Sequence, residues 1–299
     1  MNAVTLPAST PPVDNTSDNI EIQNSWLAQL ELGFGQRGAR STLTHRRHLG
    51  PLMVQKPFYP EGDLCHVYLI HPPAGVVGGD RLEISVNVAE QAQALITTPG
   101  SGKFYRSAGP TARLTQHLSI ASHATLEWLP QDTILFAGCE VDMLTRVQLA
   151  PGASFVGWEI ICLGRPSSGE AFDHGRCRQR FELWRDSLTG ESQPLVIDRS
   201  LLAGGDELLH AQWGLQGQPV TATMLATPAT IEMRDAARNA INGSNFAEGF
   251  SATLLDDVLV CRFLGKQGAQ ARQVFTQAWT AIRPLMINRP ACEPRVWAT

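Results

Sequence analysis

The sequence lacks the features that mark nucleic-acid-binding, membrane-spanning and secreted proteins. Its 24 lysines and arginines are outnumbered by 28 acidic residues, giving a net charge of −4, and they form no basic stripe. No apolar stretch reaches the roughly 18 to 20 residues of a membrane-spanning helix. The N-terminus has no basic segment followed by an apolar one, as a signal peptide would. We therefore expect a cytoplasmic protein with no nucleic-acid or membrane partner.

Signatures of common catalytic and metal sites are also missing. The six cysteines form no CxxC pair and no short Cys/His ladder, which favours reduced thiols over a zinc site. There is no G-x-S-x-G or H-E-x-x-H pattern. Residues 97–104, TTPGSGKF, end like a P-loop, but Thr97 and Phe104 stand where that motif needs Gly and Ser or Thr. Nothing here identifies an enzyme.

Alternating apolar residues dominate the part of the chain that follows Trp26. Leu82, Ile84, Val86 and Val88 share one face of a predicted strand, while the residues between them are polar. This pattern is typical of a β-strand with one buried face. The central part of the chain is therefore predicted to be β-sheet.

A weak internal repeat accompanies these strands. An apolar residue followed by A-x-x-A occurs three times, with first alanines at 89, 121 and 150, that is 32 and 29 residues apart. Stacked β-units give such a period, because each unit needs its neighbours to cover its apolar face. The sequence predicts a mostly β, helically wound, solenoid-like stack of sheets. An antiparallel β-sandwich with regular turns is the alternative.

Helical patterns occur only in the last third of the chain. Residues 229–241 have a helix-forming composition and are followed by Asn-Gly, a common C-terminal cap. Residues 269–283 space their apolar side chains by three and four, and Pro284 is expected to limit the helix. Residues 1–23 are poor in large apolar groups and are predicted to be a disordered tail. Residues 24–299 are predicted to form one β-rich domain.

Five segments spread along the chain resemble the successive motifs of one protein family. They are HPPAGVVGGD at 71–80, TTPGSGKFYRS at 97–107, LEWLPQDTILFAG at 126–138, LGRPSSGEAF at 163–172 and PRVWAT at 294–299. In this order they are similar to motifs of the urease accessory protein D family, called H in some organisms. The resemblance runs from about Ser25 to Thr299.

The resemblance implies a non-catalytic chaperone that helps to deliver nickel into apo-urease. It also implies a helically wound β fold with two helices, in agreement with the repeat. The expected partners are the apo-urease subunits and the F-type accessory protein, with the G-type GTPase recruited indirectly through the F protein. On this reading nickel binds only transiently, and no cofactor is held tightly.

Metal chemistry explains why nickel would need a guarded route. A site of nitrogen and oxygen ligands binds copper more tightly than nickel, so correct loading depends on the pathway more than on affinity. An ion in transit must also be released, which favours isolated carboxylates over a closed cage. A pure scaffold that passes no nickel, and a sheet-rich cytosolic enzyme, remain the alternatives.

Four residues are candidates for the nickel route. Glu159 and Asp198 each interrupt an apolar run, where a carboxylate is costly to bury, although an arginine such as Arg199 or backbone amides could satisfy it. Asp80 closes the glycine-rich loop and could point inward or cap its own turn. His174 lies in a segment resembling the family pattern GExFxHG.

Two further expectations concern the surface of the protein. His45 and His48 flank two arginines, which would repel a cation, so a solvated surface turn is expected there. The resemblance, together with the apolar stripe of Phe275, Trp279 and Ile282, predicts a partner-binding face on the second helix. The isolated protein is therefore expected to be poorly soluble and to gain solubility with the F-type protein.

Overall fold

The computed structural model describes residues 25–298 and shows a mostly β protein with two helices near the C-terminal end of the chain. The first nine strands are β1 (Leu27–Arg37), β2 (Arg40–Leu49), β3 (Met53–Val54), β4 (Cys65–Ile70), β5 (Arg81–Val88), β6 (Gln93–Thr97), β7 (Gly102–Phe104), β8 (Ala112–Ile120) and β9 (Thr125–Leu129). The next eight are β10 (Thr133–Leu135), β11 (Glu140–Leu149), β12 (Ser154–Leu163), β13 (Arg176–Asp186), β14 (Ser192–Ala203), β15 (Val220–Thr227), β16 (Phe250–Leu255) and β17 (Val258–Gly265). The helices are α1 (Ile231–Ile241) and α2 (Gly268–Ile287). The predicted tail, residues 1–23, lies outside the described residues.

Two large sheets enclose the core. The first sheet has the strand order β14-β13-β11-β8-β5-β1-β2, and the second has the order β16-β17-β15-β12-β9-β6-β4-β3. In the middle of both sheets neighbouring strands are parallel, as in β5-β8-β11 and β6-β9-β12. The chain thus winds through about four turns of a β-solenoid-like stack. This confirms the predicted solenoid, and the antiparallel sandwich is not the observed arrangement.

The A-x-x-A segments form one corner of successive turns. They connect β5 to β6, β8 to β9 and β11 to β12, and in each the second alanine donates its N–H to the carbonyl of the first. Gln91, His123 and Gly152 occupy the same left-handed position, with φ of 62°, 59° and 76°. The second alanines are buried, and a close-packed corner of this kind favours a small side chain. The 30-residue period was a real repeat.

The glycine-rich loop and the next three family-like motifs form a second stacked corner. Val76 bridges Phe104 in parallel, and β7 and β10 continue this short ladder to Leu135 and then Leu163. The four positions are 28, 31 and 28 residues apart, and all four side chains are buried. Gly75 is needed because a Cβ there would lie 2.1 Å from Cε2 of Tyr105 in the next turn.

Both helices pack close to each other and to the second sheet, as the late helical patterns predicted. Thr230 caps α1 by accepting the N–H of Met233. Helix α2 passes through Pro284 and ends three residues later at Ile287, so the expectation that this proline limits the helix was wrong by one turn. Neither helix in the described part of the chain has the length and apolar content needed to cross a membrane.

The apolar stripe of α2 faces inward. Phe275, Trp279 and Ile282 are fully buried against the second sheet and its surrounding core. The sequence expectation of a partner-binding face on this stripe is therefore wrong, because the fold itself covers it. An apolar stripe at helical spacing predicts that the side chains are buried, but it does not tell whether the same chain or a partner protein buries them.

Candidate functional site

A cavity of about 340 Å³ lies inside the stack, between the two sheets and the short-strand corner. Its walls are mainly apolar, with contributions from Leu82, Ile84, Leu114, Phe104, Trp128 and Met143. Exposed lining residues, among them Ala74, Pro99 and Gly100, mark its outer rim, where His71 and Lys103 also lie. Glu159 and Gln116 also line the cavity, and Glu159 is buried. The cavity therefore reaches from the surface to a buried carboxylate.

Glu159 is held by two side chains from the opposite sheet. Its Oε1 lies 2.5 Å from the hydroxyl of Thr145 on β11, and its Oε2 lies 2.5 Å from Nε2 of Gln179 on β13. Burial raises the pKa of Glu159 from 4.5 to about 7, with a smaller contribution from the charge of Asp198, while the two hydrogen bonds oppose the rise. Near neutral pH this carboxyl group can therefore be charged or protonated.

The hydrogen-bond pattern around Thr145 fits a protonated Glu159. The single hydroxyl proton of Thr145 faces two acceptors, because Oε1 of Gln116 also lies 2.6 Å from its oxygen. If Glu159 donates to Thr145, then Thr145 can donate to Gln116, and every group is satisfied. Ser200 donates to Oε1 of Gln179, which keeps the amide of Gln179 directed at Glu159.

Asp198 lies close enough to Glu159 for its charge to act on that group, but it is not among the residues that line the cavity. Its Oδ2 accepts a hydrogen bond from Thr223, which pairs directly with Glu159 between β15 and β12, and forms a 2.7 Å ion pair with Arg262. Arg199 does not pair with Asp198 but with Glu182, because neighbouring residues of a strand point to opposite faces. The structure thus brings two of the sequence candidates together, with Asp198 already partnered by Arg262.

Asp80 lies apart from this pair and holds the glycine-rich loop. Its Oδ1 accepts the N–H of Trp26 at 2.9 Å, and its Oδ2 accepts the N–H of Val77 at 3.0 Å. The buried carboxylate therefore fastens the start of β1 to its own loop. Its charge also acts on His71 at the cavity rim, where burial lowers the pKa of His71 and Asp80 partly opposes that effect.

The histidines singled out from the sequence do not line the cavity. His174 is exposed and contacts Oδ1 of Asp173 at 2.5 Å, a hydrogen bond that holds the pKa of Asp173 below its usual value. His45 and His48 are exposed, as expected, but they lie on strand β2, where His45 contacts Glu31, and not in a turn. Within residues 25–298 there is no group of three or more His, Cys, Asp or Glu side chains that could hold a metal ion.

Sequence reasoning missed the polar residues that surround Glu159. Gln116, Thr145 and Gln179 look unremarkable among the many polar residues of alternating strands. A signal was present, because each stands at a position where the alternation calls for an apolar residue. Nε1 of Trp128, also on the cavity lining, is buried without a hydrogen-bond partner.

Comparisons with known proteins agree with the resemblance of the five motifs. A family model described as UreD urease accessory protein matches residues 27–298. The chain is 45% identical to urease accessory protein UreD of Citrobacter koseri over 278 residues, which cover 93% of each chain. It is 41% identical to urease accessory protein UreD of Alkalilimnicola ehrlichii over 297 residues, 99% of this chain and 100% of the relative. It is 43% identical to urease accessory protein UreD of Pseudomonas putida strain GB-1 over 289 residues, 95% of this chain and 99% of the relative.

Proposed function

Because this chain belongs to the UreD family of urease accessory proteins, with a role in urease maturation, we propose that its internal cavity passes nickel towards apo-urease. The relatives are named accessory proteins, and this chain is likewise an accessory protein and not an enzyme. The proposal is carried by one observation, the buried carboxyl group of Glu159, which lines a mainly apolar cavity and is held there by Thr145 and Gln179.

The proposed route follows polar side chains from the cavity past Glu159 to Asp198. From the rim at His71 it passes Gln116 and Thr145, reaches Glu159, and continues by Thr223 to Asp198. Arg262 closes the path where it meets solvent. A cation at Glu159 would replace the proton of the carboxyl group, so the uptake and release of nickel would be coupled to proton exchange.

The scarcity of ligands on this path suits a transported ion. A closed set of strong ligands would retain nickel or select copper, whereas one carboxylate with hydroxyl and amide oxygens binds weakly enough to release it. His174 is exposed and does not line the cavity, so any contact of nickel with His174 would take place at the surface. Asp80 would contribute only through its charge at the rim.

The partners that we propose follow from the family. They are the apo-urease subunits and the F-type accessory protein, with the G-type GTPase joined indirectly through the F protein, all in the cytoplasm. This chain would act as adaptor and conduit between the source of nickel and urease.

The test compares urease matured with variants of this chain. Glu159→Ala and Asp198→Asn should lower the nickel content and activity of urease while pull-down of the accessory complex is unchanged. Glu90→Gln, on the exposed turn between β5 and β6, is the matched control. Asp80→Ala should instead lower stability, because it releases Trp26 and Val77.

Two results would contradict the conduit. If nickel content is normal in both single variants and in the double variant, the protein acts as a scaffold through which no nickel passes. If the variants lose their partners or unfold, the two carboxylates are structural. The ion pair of Asp198 with Arg262 is the observation that favours the scaffold alternative.

A further inference from the structure

The outer face of the first sheet is not covered by either helix. Both α1 and α2 pack on the second sheet and on each other. Strands β5, β8, β11 and β13 therefore present their outward side chains to solvent over a broad, regular surface. Positive charges on this surface that have no ion pair within the chain would be available to a binding partner.

Three arginines lie in one transverse row of this face. The strand register places Arg81 directly opposite Arg113, Arg113 opposite Asp142, and Asp142 opposite Arg178. We call Arg81, Arg113 and Arg178 the arginine row. With strands about 4.8 Å apart, the row is about 14 Å long.

The guanidinium groups of the arginine row have no ion pair among residues 25–298. Asp142, the acidic residue within the row, bonds Arg180 at 3.0 Å. Glu140, at the same end of the sheet, pairs with Arg176. Like charges directly opposite on neighbouring strands are unfavourable, yet Arg81 and Arg113 stand so in a chain whose net charge is −4. This arrangement suits carboxylates supplied by another molecule.

Exposed apolar side chains continue the row at both ends. Leu27 is opposite Arg81 and 42% exposed, and its neighbour Trp26 is 57% exposed. At the other end Leu201 is opposite Arg178 and 47% exposed. Tryptophan and arginine are the residues most enriched at the energetic centres of protein interfaces.

We propose that the arginine row and its apolar ends dock an acidic protein surface. The inference rests on the proposed adaptor function and names a surface through which a partner is held. A protein fits better than a nucleic acid, because a continuous phosphate backbone crossing this face would meet Asp142 and Glu83. Paired carboxylates of a folded partner can avoid both and still bind the arginines bidentately.

The experiment measures binding of purified apo-urease and of the F-type accessory protein to the whole chain, at low and at high salt. The test variant carries Arg81→Glu, Arg113→Glu and Arg178→Glu. The control carries Lys56→Glu, Lys266→Glu and Arg295→Glu, which change the net charge equally at exposed sites away from the row. We expect the test variant to lose at least roughly tenfold in affinity for one of the two partners, with a weaker salt dependence, and the control to bind normally.

A second variant keeps the inference testable if charge reversal prevents folding. Arg81→Gln, Arg113→Gln and Arg178→Gln together remove the positive charges without adding negative ones, and should also weaken binding. If the unmodified chain and both row variants bind each partner with equal affinity, the inference is overturned, but the adaptor function still stands. If the unmodified chain binds neither partner, the adaptor function fails and the inference with it. Binding of duplex DNA that depends on the row would also overturn it.

Discussion

At the scale of single residues, Glu159 shows how burial and hydrogen bonding compete. Desolvation favours the neutral acid, whereas Thr145 and Gln179 both can donate to the charged form. Because burial has the larger effect, the pKa rises to about 7. The group is therefore balanced between two protonation states near neutral pH, in line with the proposed uptake and release of a cation.

The raised pKa of Glu159 predicts a pH-dependent stability. In the unfolded chain this group titrates near 4.5, and in the folded protein near 7. Its contribution is complete below pH 4.5 and is lost as the pH rises to about 7, by up to about 3 kcal/mol. Glu159→Gln keeps a neutral group that can donate to Thr145 and accept from Gln179. The variant should therefore be more stable than the wild type at pH 8, by about 1–3 kcal/mol, and close to it at pH 5.

Urea unfolding of both proteins across this pH range measures the effect as a difference, which cancels the titration of other groups. Glu90→Gln serves again as the exposed control and should follow the wild type. A difference between Glu159→Gln and wild type that does not change between pH 5 and pH 8 would show that Glu159 titrates normally.

At the scale of structural elements, a buried ion network attaches α2 to the stack. Arg283 bonds both oxygens of Glu127 on β9 and both oxygens of Glu61, and Trp279 also donates to Glu127. Burial disfavours the charges of Arg283 and Glu61, but their hydrogen bonds prevail, so the pKa of Arg283 is raised and that of Glu61 lowered. The chain end adds Trp297, which donates to Thr97.

Arg283→Met should lower the free energy of unfolding by about 3–5 kcal/mol, because it leaves Glu127 buried without a counter-charge. The paired variant Arg283→Met with Glu127→Leu should recover much of that loss, since both buried charges are then removed. Chemical unfolding of the three proteins at neutral pH measures this. If the double variant is no more stable than the single one, α2 is held mainly by apolar packing and not by the network.

The course of the chain was largely readable from its sequence. The A-x-x-A repeat and the strand alternation report local requirements, a tight corner and a buried face, that recur in every turn. The corner at Val76 was harder to identify, because its strands are only three residues long and are defined by stacking on the neighbouring turns. Helix α2 continued past Pro284 because tertiary packing outweighs the local preference of proline.

The candidate site was only partly readable. Glu159 stood out because a carboxylate within an apolar run needs a partner, but its partners come from strands far away in the sequence. The same logic selected Asp198 without revealing Arg262, which pairs with it across 64 residues. Asp80 shows the limit of reasoning from motifs, because a loop-closing carboxylate that caps backbone amides looks the same in sequence as one that meets a ligand.

At the scale of the whole molecule, the ends of the stack decide how it meets other molecules. A solenoid must protect its last strands, since their free backbone groups can pair with another chain. The edge strand β2 carries Arg46, Arg47 and His48, and the edge strand β3 is only two residues long. By contrast β14 is twelve residues long and exposes Ile197 and Leu201. The fourth edge, β16, is only six residues long, so β14 is the longest edge strand within residues 25–298.

We therefore expect the isolated protein to self-associate through β14, and co-expression with the F-type protein to increase its solubility. Ile197, 41% exposed, lies on the outer face of this edge strand, and a lysine there is the usual protection of natural edges. Ile197→Lys should shift the isolated chain towards the monomer in size-exclusion chromatography with light scattering. Leu188→Lys is the matched control, because Leu188 is 93% exposed between β13 and β14 but lies outside both strands. An equal shift in both variants would assign the effect to charge alone. A wild type that is monomeric at every concentration would contradict the prediction and would indicate that features of the strand such as Pro194, which has no N–H to donate, are protection enough.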